Sequence, residues 1–428
     1  MRACTRPLLL AIVIAFAVLA VAAAPAACEE KLTPSQESEA KLQDGYRALA
    51  GKDLVAAEAA FKEASRLAPN APAPILGLAE IAKLRDDVKN VEKWLKEALK
   101  VAPGSADAHL AWGRYLYVTR KFAESEVALK KARNLDRKLL APHLDLGELF
   151  LSGLSRPKDA ELAFREAIRL RPGHAGAHSG LASALAAQKR TAEAAAEFEI
   201  AAKLAPDNPL PLHTLGRLYQ YSGEADKALA AYARALKVNA DFIPALLDRG
   251  DVYAAKNQPE RALADYSEAV KRAPKQAMPH FRLGMFYHGR NRGAEAVAEY
   301  RAAIELDPRF APAYNNLAWL VAEGKSNLAE ALGWAKKAVE LQPGVADYAD
   351  TLGQVHRVRG ELEPAIEQFR RAANAKPPRA EFNYHLGLAL AEKGASREAS
   401  AALKRAIEIQ PDFPGAADAR NVIKKLGG

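Results

Sequence analysis

Residues Leu54 to Pro69 read LVAAEAAFKEASRLAP, and the same design returns as QPERALADYSEAVKRAP ending at Pro274 and as GAEAVAEYRAAIELDP ending at Pro308. Working outward from it, Ala64, Ala98 and Ala132 stand 34 residues apart. One 35-residue step leads to Ala167, Ala201, Ala235, Ala269 and Ala303, and a second to Ala338, Ala372 and Ala406. A second small-residue column lies about nineteen residues upstream: Gly45, Ala79, Gly113, Gly147, Ala182, Gly216, Gly250, Gly284, Ala318, Gly353 and Gly387. Both columns run through eleven copies, which fill residues 38–413 without a gap. A fixed period of this length marks a stacked repeat architecture. The two extra residues fall near 152–157 and 323–326, where a turn between helices can absorb them.

Each copy holds two apolar segments of helical period separated by a polar turn such as Gly51-Lys52-Asp53 or Ser222-Gly223-Glu224. The small columns let paired helices approach closely, and Leu215, Tyr219 and Tyr232 exemplify the larger residues that fill the space between them. Proline follows the second helix in nine copies because it cannot continue a helix; Arg137 and Ala240 replace it in the other two, which predicts less sharply fixed turns there. One helix pair cannot bury its apolar face alone, so the stack supplies the stability. Ala416, Ala419, Val422, Ile423 and Leu426 share one face after the last copy, so residues 414–428 are expected to form a capping helix.

This period with its small-large-small-proline pattern resembles the tetratricopeptide repeat family. The resemblance implies an all-α, right-handed superhelical solenoid of about eleven helix-turn-helix repeats, with the first helix of each pair lining a concave face. One departure is that His109, His143, His178 and His280 occupy the place of the family's first large aromatic, which predicts looser packing there.

The N-terminus differs from the repeats. Arg2 and Arg6 precede an apolar run from Leu8 to Ala24, then Pro25-Ala26-Ala27-Cys28. A basic start, an apolar core and small residues at its end predict a bacterial-type secretion signal over residues 1–27 and a short leader over 28–37. Cleavage after Ala26, lipidation of Cys28 and retention as an uncleaved anchor all remain open. The residues before Cys28 resemble the lipobox of bacterial lipoproteins, although Pro25 stands where Leu, Val or Ile is usual. Cys4 is the one other cysteine, so Cys28 has no disulfide partner once the signal leaves, and acylation would give its thiol a purpose. The protein is therefore expected in the periplasm, or on a membrane as a lipoprotein facing it.

The formal net charge is +9. Bases alternate with acids along the helices, as in Lys62-Glu63 and Arg165-Glu166, which points to solvated faces and away from nucleic acid. No P-loop, zinc motif or nucleophile elbow occurs, and the repeats leave little room for a catalytic domain. The His174–His178 pair has no carboxylate or thiol nearby at ligand spacing, so neither a metal, a cofactor nor an enzyme activity is expected.

Binding is the remaining function. Residues three before, one after and four after the small column share one side of the first helix. In the first four repeats this stripe is mainly apolar: Leu42, Tyr46, Leu49, Leu76, Leu110, Tyr117, Leu144 and Leu151. These leucines either pack between adjacent first helices or form a peptide groove. From the sixth repeat the stripe mixes polar and aromatic residues: His213, Arg217, Gln220, Asp251, Phe281, Met285, His288, Asn315, Trp319, Asp350, Gln354, Arg357 and Tyr384. Its residue types are those enriched at binding hot spots, so it is the candidate partner surface. The Lys/Arg/Asn set by which co-chaperone members of the family hold a terminal carboxylate is absent, and Asn316 alone occupies the column of the asparagine ladder found in some long arrays. The expected role is a protein-protein interaction scaffold in the bacterial envelope, binding envelope proteins or peptides during outer-membrane, pilus, secretion or exopolysaccharide assembly. The rival reading is an envelope glycan- or peptidoglycan-binding structural protein, kept open by Trp319, Phe281 and Tyr384.

Overall fold

The computed structural model describes residues 33–427, and the predicted signal, Cys28 and the start of the leader lie outside them. The described residues form 23 α-helices, one π-helical segment and no strand. They fall into two compact units, divided between Arg137 and Lys138. The first unit contains α1 (Pro34–Ala50), α2 (Leu54–Leu67), α3 (Pro72–Leu84), α4 (Val88–Val101), α5 (Ala106–Val118) and α6 (Phe122–Leu135). The second begins with α7 (Leu140–Glu148), a π-helical segment (Leu149–Gly153), α8 (Pro157–Leu170), α9 (Ala175–Ala187) and α10 (Thr191–Leu204). It continues with α11 (Leu210–Tyr221), α12 (Ala225–Val238), α13 (Ile243–Ala255), α14 (Pro259–Arg272), α15 (Ala277–Gly289), α16 (Gly293–Leu306) and α17 (Ala311–Glu323). It ends with α18 (Leu328–Leu341), α19 (Ala346–Val358), α20 (Leu362–Ala373), α21 (Ala380–Glu392), α22 (Ser396–Ile409) and α23 (Ala416–Lys425). The architecture is an all-helical repeat solenoid.

Local chemistry starts and stops these helices. Thr33 caps α1 through a capping box with Gln36, with Pro34 in the first helical position. The turn inside each pair contains a left-handed residue, Gly223 in one copy but Lys52, Arg120 and Lys189 in others. In the first copy the glycine is not the left-handed residue: Gly51 sits at φ −75° and Lys52 at φ 63°. The two copies without proline end their second helices at Leu135 and Val238, two residues before the proline column, as all the others do except α20, which ends at Ala373. The expected loosening of those turns is therefore not seen, since the C-cap N–H still bonds to Ala132 or Ala235 as it does elsewhere. Of the two extra residues, the first is accommodated where α7 widens into the π-helical segment. The second lengthens the turn after α17, where Lys325 and Asn327 are both left-handed.

The core follows the two small columns. All eleven alanines from Ala64 to Ala406 are fully buried. Opposite the other column sits one large side chain three residues before ten of the eleven alanines, aromatic in seven copies, with Ala335 taking that place in the ninth. A Cβ on Gly216 would lie 2.5 Å from the Tyr232 ring, and one on Gly353 would lie 2.7 Å from Phe369. Among the histidines of the aromatic column, His109, His178 and His280 gain polar tethers, His109 through the Pro103 carbonyl at 3.0 Å. His178 bonds the Pro172 carbonyl at 2.9 Å and Glu197 at 2.6 Å, while His280 bonds Glu299 at 2.7 Å. Polar tethers thus replace the lost ring area. His174 accepts from the Ala177 N–H as an N-cap, so the two histidines of that pair serve different structural ends. The C-terminal α23 covers the last pair as expected, burying Ala416 and Ala419 against Leu403, Ala406 and Phe413.

Candidate interaction surface

The second unit presents first-helix residues of six consecutive pairs, α11, α13, α15, α17, α19 and α21, which hold every residue of the predicted partner stripe. Their side chains largely engage one another. His213 is buried and bonds Asp248 at 2.9 Å, with its ring 5.3 Å from Phe242 and 5.7 Å from Tyr232. Arg282 donates to Asp251 at 2.7 Å and lies 3.7 Å from Asp248, while the Tyr266 hydroxyl donates to Asp251 at 2.6 Å. One ladder of polar pairs therefore joins α11, α13 and α15. Burial pushes the Asp251 carboxyl up, against the opposing pull of Arg282. Burial likewise pushes the Tyr266 hydroxyl above its ordinary value, and Asp251 adds to it.

A second ladder joins α19, α21 and α23. Asp350 is buried and holds His385 at 2.9 Å, and the His385 ring lies 6.4 Å from Trp319. Burial raises the Asp350 carboxyl, with His385 opposing. Arg357 donates to Glu392 at 2.9 Å and to Gln354 at 3.4 Å. Tyr384 donates to Asp418 on the capping helix at 2.8 Å; burial and that carboxylate push its hydroxyl up to about 12.

Three stripe residues thus differ from expectation. His213 and Asp350 lie beneath the surface because each finds an oppositely polar partner one repeat away, which makes burial affordable. Phe281 is half-buried and packs edge-on to Phe310 at 5.0 Å, within the core around Tyr300. Arg217, Gln220 and Met285 are exposed, and Asp251, His288, Asn315, Trp319, Gln354, Arg357 and Tyr384 are partly so. Asn315 Oδ1 is buried with no hydrogen-bond partner among the described residues, while its amide nitrogen donates to Asn316 at 3.2 Å. In the first unit, Leu42 and Leu49 pack against the Phe61 core and Leu76 against that of Ile75, whereas Tyr46 stays 43% exposed.

The stripe rule missed Asp248, Arg282 and His385, which stand two before the small column, and Tyr266 on the second helix. A signal for the first three was present: acids and bases recur one repeat apart, as in Asp248 with Arg282 and Asp350 with His385. Of these, Arg282 and Tyr266 border a cavity of about 390 Å³ together with the stripe residues Asp251 and Met285 and with Ala254, Phe286, Gly289 and Arg290. Its acid is already met by Arg282 and Tyr266. Arg290 reaches only the neutral Asn257, at 3.4 Å, and lies 5.9 Å from the Phe286 ring. The cavity therefore offers a cation, an apolar floor and a satisfied acid, a combination suited to holding a segment of another chain. Among the described residues no group of three or more His, Cys, Asp or Glu side chains could hold a metal ion, and no helix is long and apolar enough to cross a membrane.

Among curated proteins none matches the chain. Solved structures similar to it include the APC/C hetero-tetramer Cut9-Hcn1, at 13% identity and a TM-score of 0.48 over 93% of this chain and 99% of that one. Yeast Tom70 is similar at 13% identity and a TM-score of 0.48, over 91% and 95% of the two chains. YrrB, described as a TPR protein with an unusual peptide-binding site, matches at 23% identity and a TM-score of 0.34, over 42% of this chain and 92% of its own. The sequence profile of the tetratricopeptide repeat matches residues 146–209, 213–277, 247–309, 281–346 and 351–417. With well over half of its length matched and paired helices stacked at the same period, this chain belongs to the tetratricopeptide repeat family.

Proposed function

We propose that the protein is a non-enzymatic scaffold of the bacterial cell envelope whose second unit docks an extended segment of a partner protein. Proteins of this family mediate protein-protein interaction, and their fold is typically a scaffold without catalysis of its own. The observation that carries the reading for this chain is the 390 Å³ cavity between the inner sides of α13 and α15. There Met285 is exposed and Arg290 lacks a carboxylate partner, while a pre-assembled ladder fixes the walls. A rigid, satisfied frame around a few available groups reduces the ordering cost of binding. Envelope location is supported by the basic start, the apolar run Leu8–Ala24 and the small residues before Cys28. On this reading Cys28 is the acylated anchor, and the partners are other exported proteins engaged in building an envelope complex.

A photo-crosslinking side chain placed at Met285, compared with one at Lys271 on α14, tests the surface in intact cells. The expected result is a discrete adduct with an exported protein from Met285 alone, unaffected by added sugar. An adduct with glycan, or the same products from both positions, would sink the assignment. Radiolabelled palmitate incorporation, lost in Cys28→Ala, checks the anchor separately.

A further inference from the structure

The outward positions of the second helices divide the chain in a way the repeat does not require. In α4, Lys89, Lys93, Lys96 and Lys100 follow at intervals of four, three and four, which aligns them along one narrow strip. All four are exposed, while Leu95 and Ala98 of the same helix are buried. The strip is about 16 Å long. The same four places in α2 and α6 hold Lys62, Arg66 and Lys130 beside Val55 and Val127, which are 75% and 71% exposed. Across the three second helices of this unit, the twelve places carry seven cations and no acid. In α8, the first such helix of the second unit, the corresponding places still hold Lys158, Arg165 and Arg169 with no acid. In the seven second helices from α10 to α22 they carry eight cations and eight acids, so the excess belongs to the first four copies.

Flanking acids engage part of the strip. Glu92 holds Lys96 at 2.6 Å and Glu97 holds Lys100 at 3.6 Å. Among the described residues no ion pair engages Lys89 or Lys93, and the Lys93 ammonium lies 4.7 Å over the Trp94 ring. Lysines are point charges on flexible stems, and a straight row of them with single valines alongside matches a flat sheet of charge better than one small anion. Cys28, the acylated anchor on the reading proposed above, stands six residues before α1 begins. A membrane-seeking segment therefore adjoins the unit that carries the strip. The geometry points to the outward strip of α2, α4 and α6 as a docking surface for anionic phospholipid headgroups. The reading of the N-terminus as membrane-directed says which surface is at hand, while the charge pattern stands without it.

The full chain is incubated with phosphatidylcholine vesicles or with vesicles containing one-third phosphatidylglycerol, and lysine acetylation is followed by mass spectrometry. On the anionic vesicles Lys89, Lys93, Lys96 and Lys100 should react roughly fivefold more slowly, with Lys271 and Lys336 unchanged, and high salt should remove the protection. In a variant carrying Lys89→Gln, Lys93→Gln, Lys96→Gln and Lys100→Gln, with unchanged circular dichroism, Lys62 and Lys130 should lose their protection as well. Both vesicle types meet the same N-terminus, so insertion of that segment alone gives equal labelling and is distinguished from docking of the strip. Equal acetylation on the two vesicle types overturns the proposal. So does equal protection by soluble alginate, or failure of the chain to float with either vesicle.

Discussion

In the first unit the inner stripe is mainly leucine and tyrosine, and the outward places are rich in lysine. In the second unit the inner face carries ladders of acid, base and aromatic, and from α10 onward the outward places balance their charges. Both units nevertheless bury the same alanine column and set a large side chain against the same small one. Positions that touch the paired helix are dictated by space and repeat faithfully. Positions that face outward or across the stack carry no such demand, and there the two units have taken different chemistry.

If the packing really is common to both, Phe61→Ala in the first unit and Phe369→Ala in the second should each cost about 3–5 kcal/mol, since both rings are fully buried. Calorimetry that resolves separate transitions would check it, and a much smaller loss at either site would break the equivalence. Next in size, Gly45→Val and Gly216→Val should each cost about 1–3 kcal/mol, because a Cβ at these places would stand 2.4 Å and 2.5 Å from the Phe61 and Tyr232 rings.

The contrast sharpens at the charges. Arg282→Met removes the partner of the partly buried Asp251 and should cost about 1–2 kcal/mol in urea unfolding. Lys96→Met, which breaks an exposed pair, should cost about 0.5 kcal/mol or less. Equal effects would mean that the ladder is no more than surface decoration. Arg120→Gly should stabilise the first unit by up to about 1 kcal/mol, since Arg120 sits at φ 63° where glycine has no Cβ to strain.

The smallest expected effect is one of slope. Burial raises the Asp350 carboxyl, so the folded state holds its proton more tightly than the unfolded chain does. Stability from this group is greatest at low pH and falls as pH rises from about 4, the ordinary carboxylate value, through the raised folded value. Asp350→Asn should therefore gain on the wild type over that window, as read from melting temperatures across pH. A difference that does not change with pH would mean that His385 fully offsets the burial.

The sequence alone determined the period, the two small columns, the helix pairs and the cap, because helix formation and close packing depend on residues a few places apart and on a repeating demand for space. Gly216 and Ala235 announce their roles by recurrence. The left-handed turn was legible as a turn, yet which residue takes it was not: Lys52 adopts it beside an available Gly51, since the conformation is set by how the two helices meet. Only the tertiary structure decided the fate of the inner stripe. His213 and Arg217 stand on the same side of one helix, yet the first is buried against Asp248 and the second is open. Helical spacing fixes the direction of a side chain, whereas a partner supplied by the next repeat, 35 residues further on, determines whether it remains there to meet anything else.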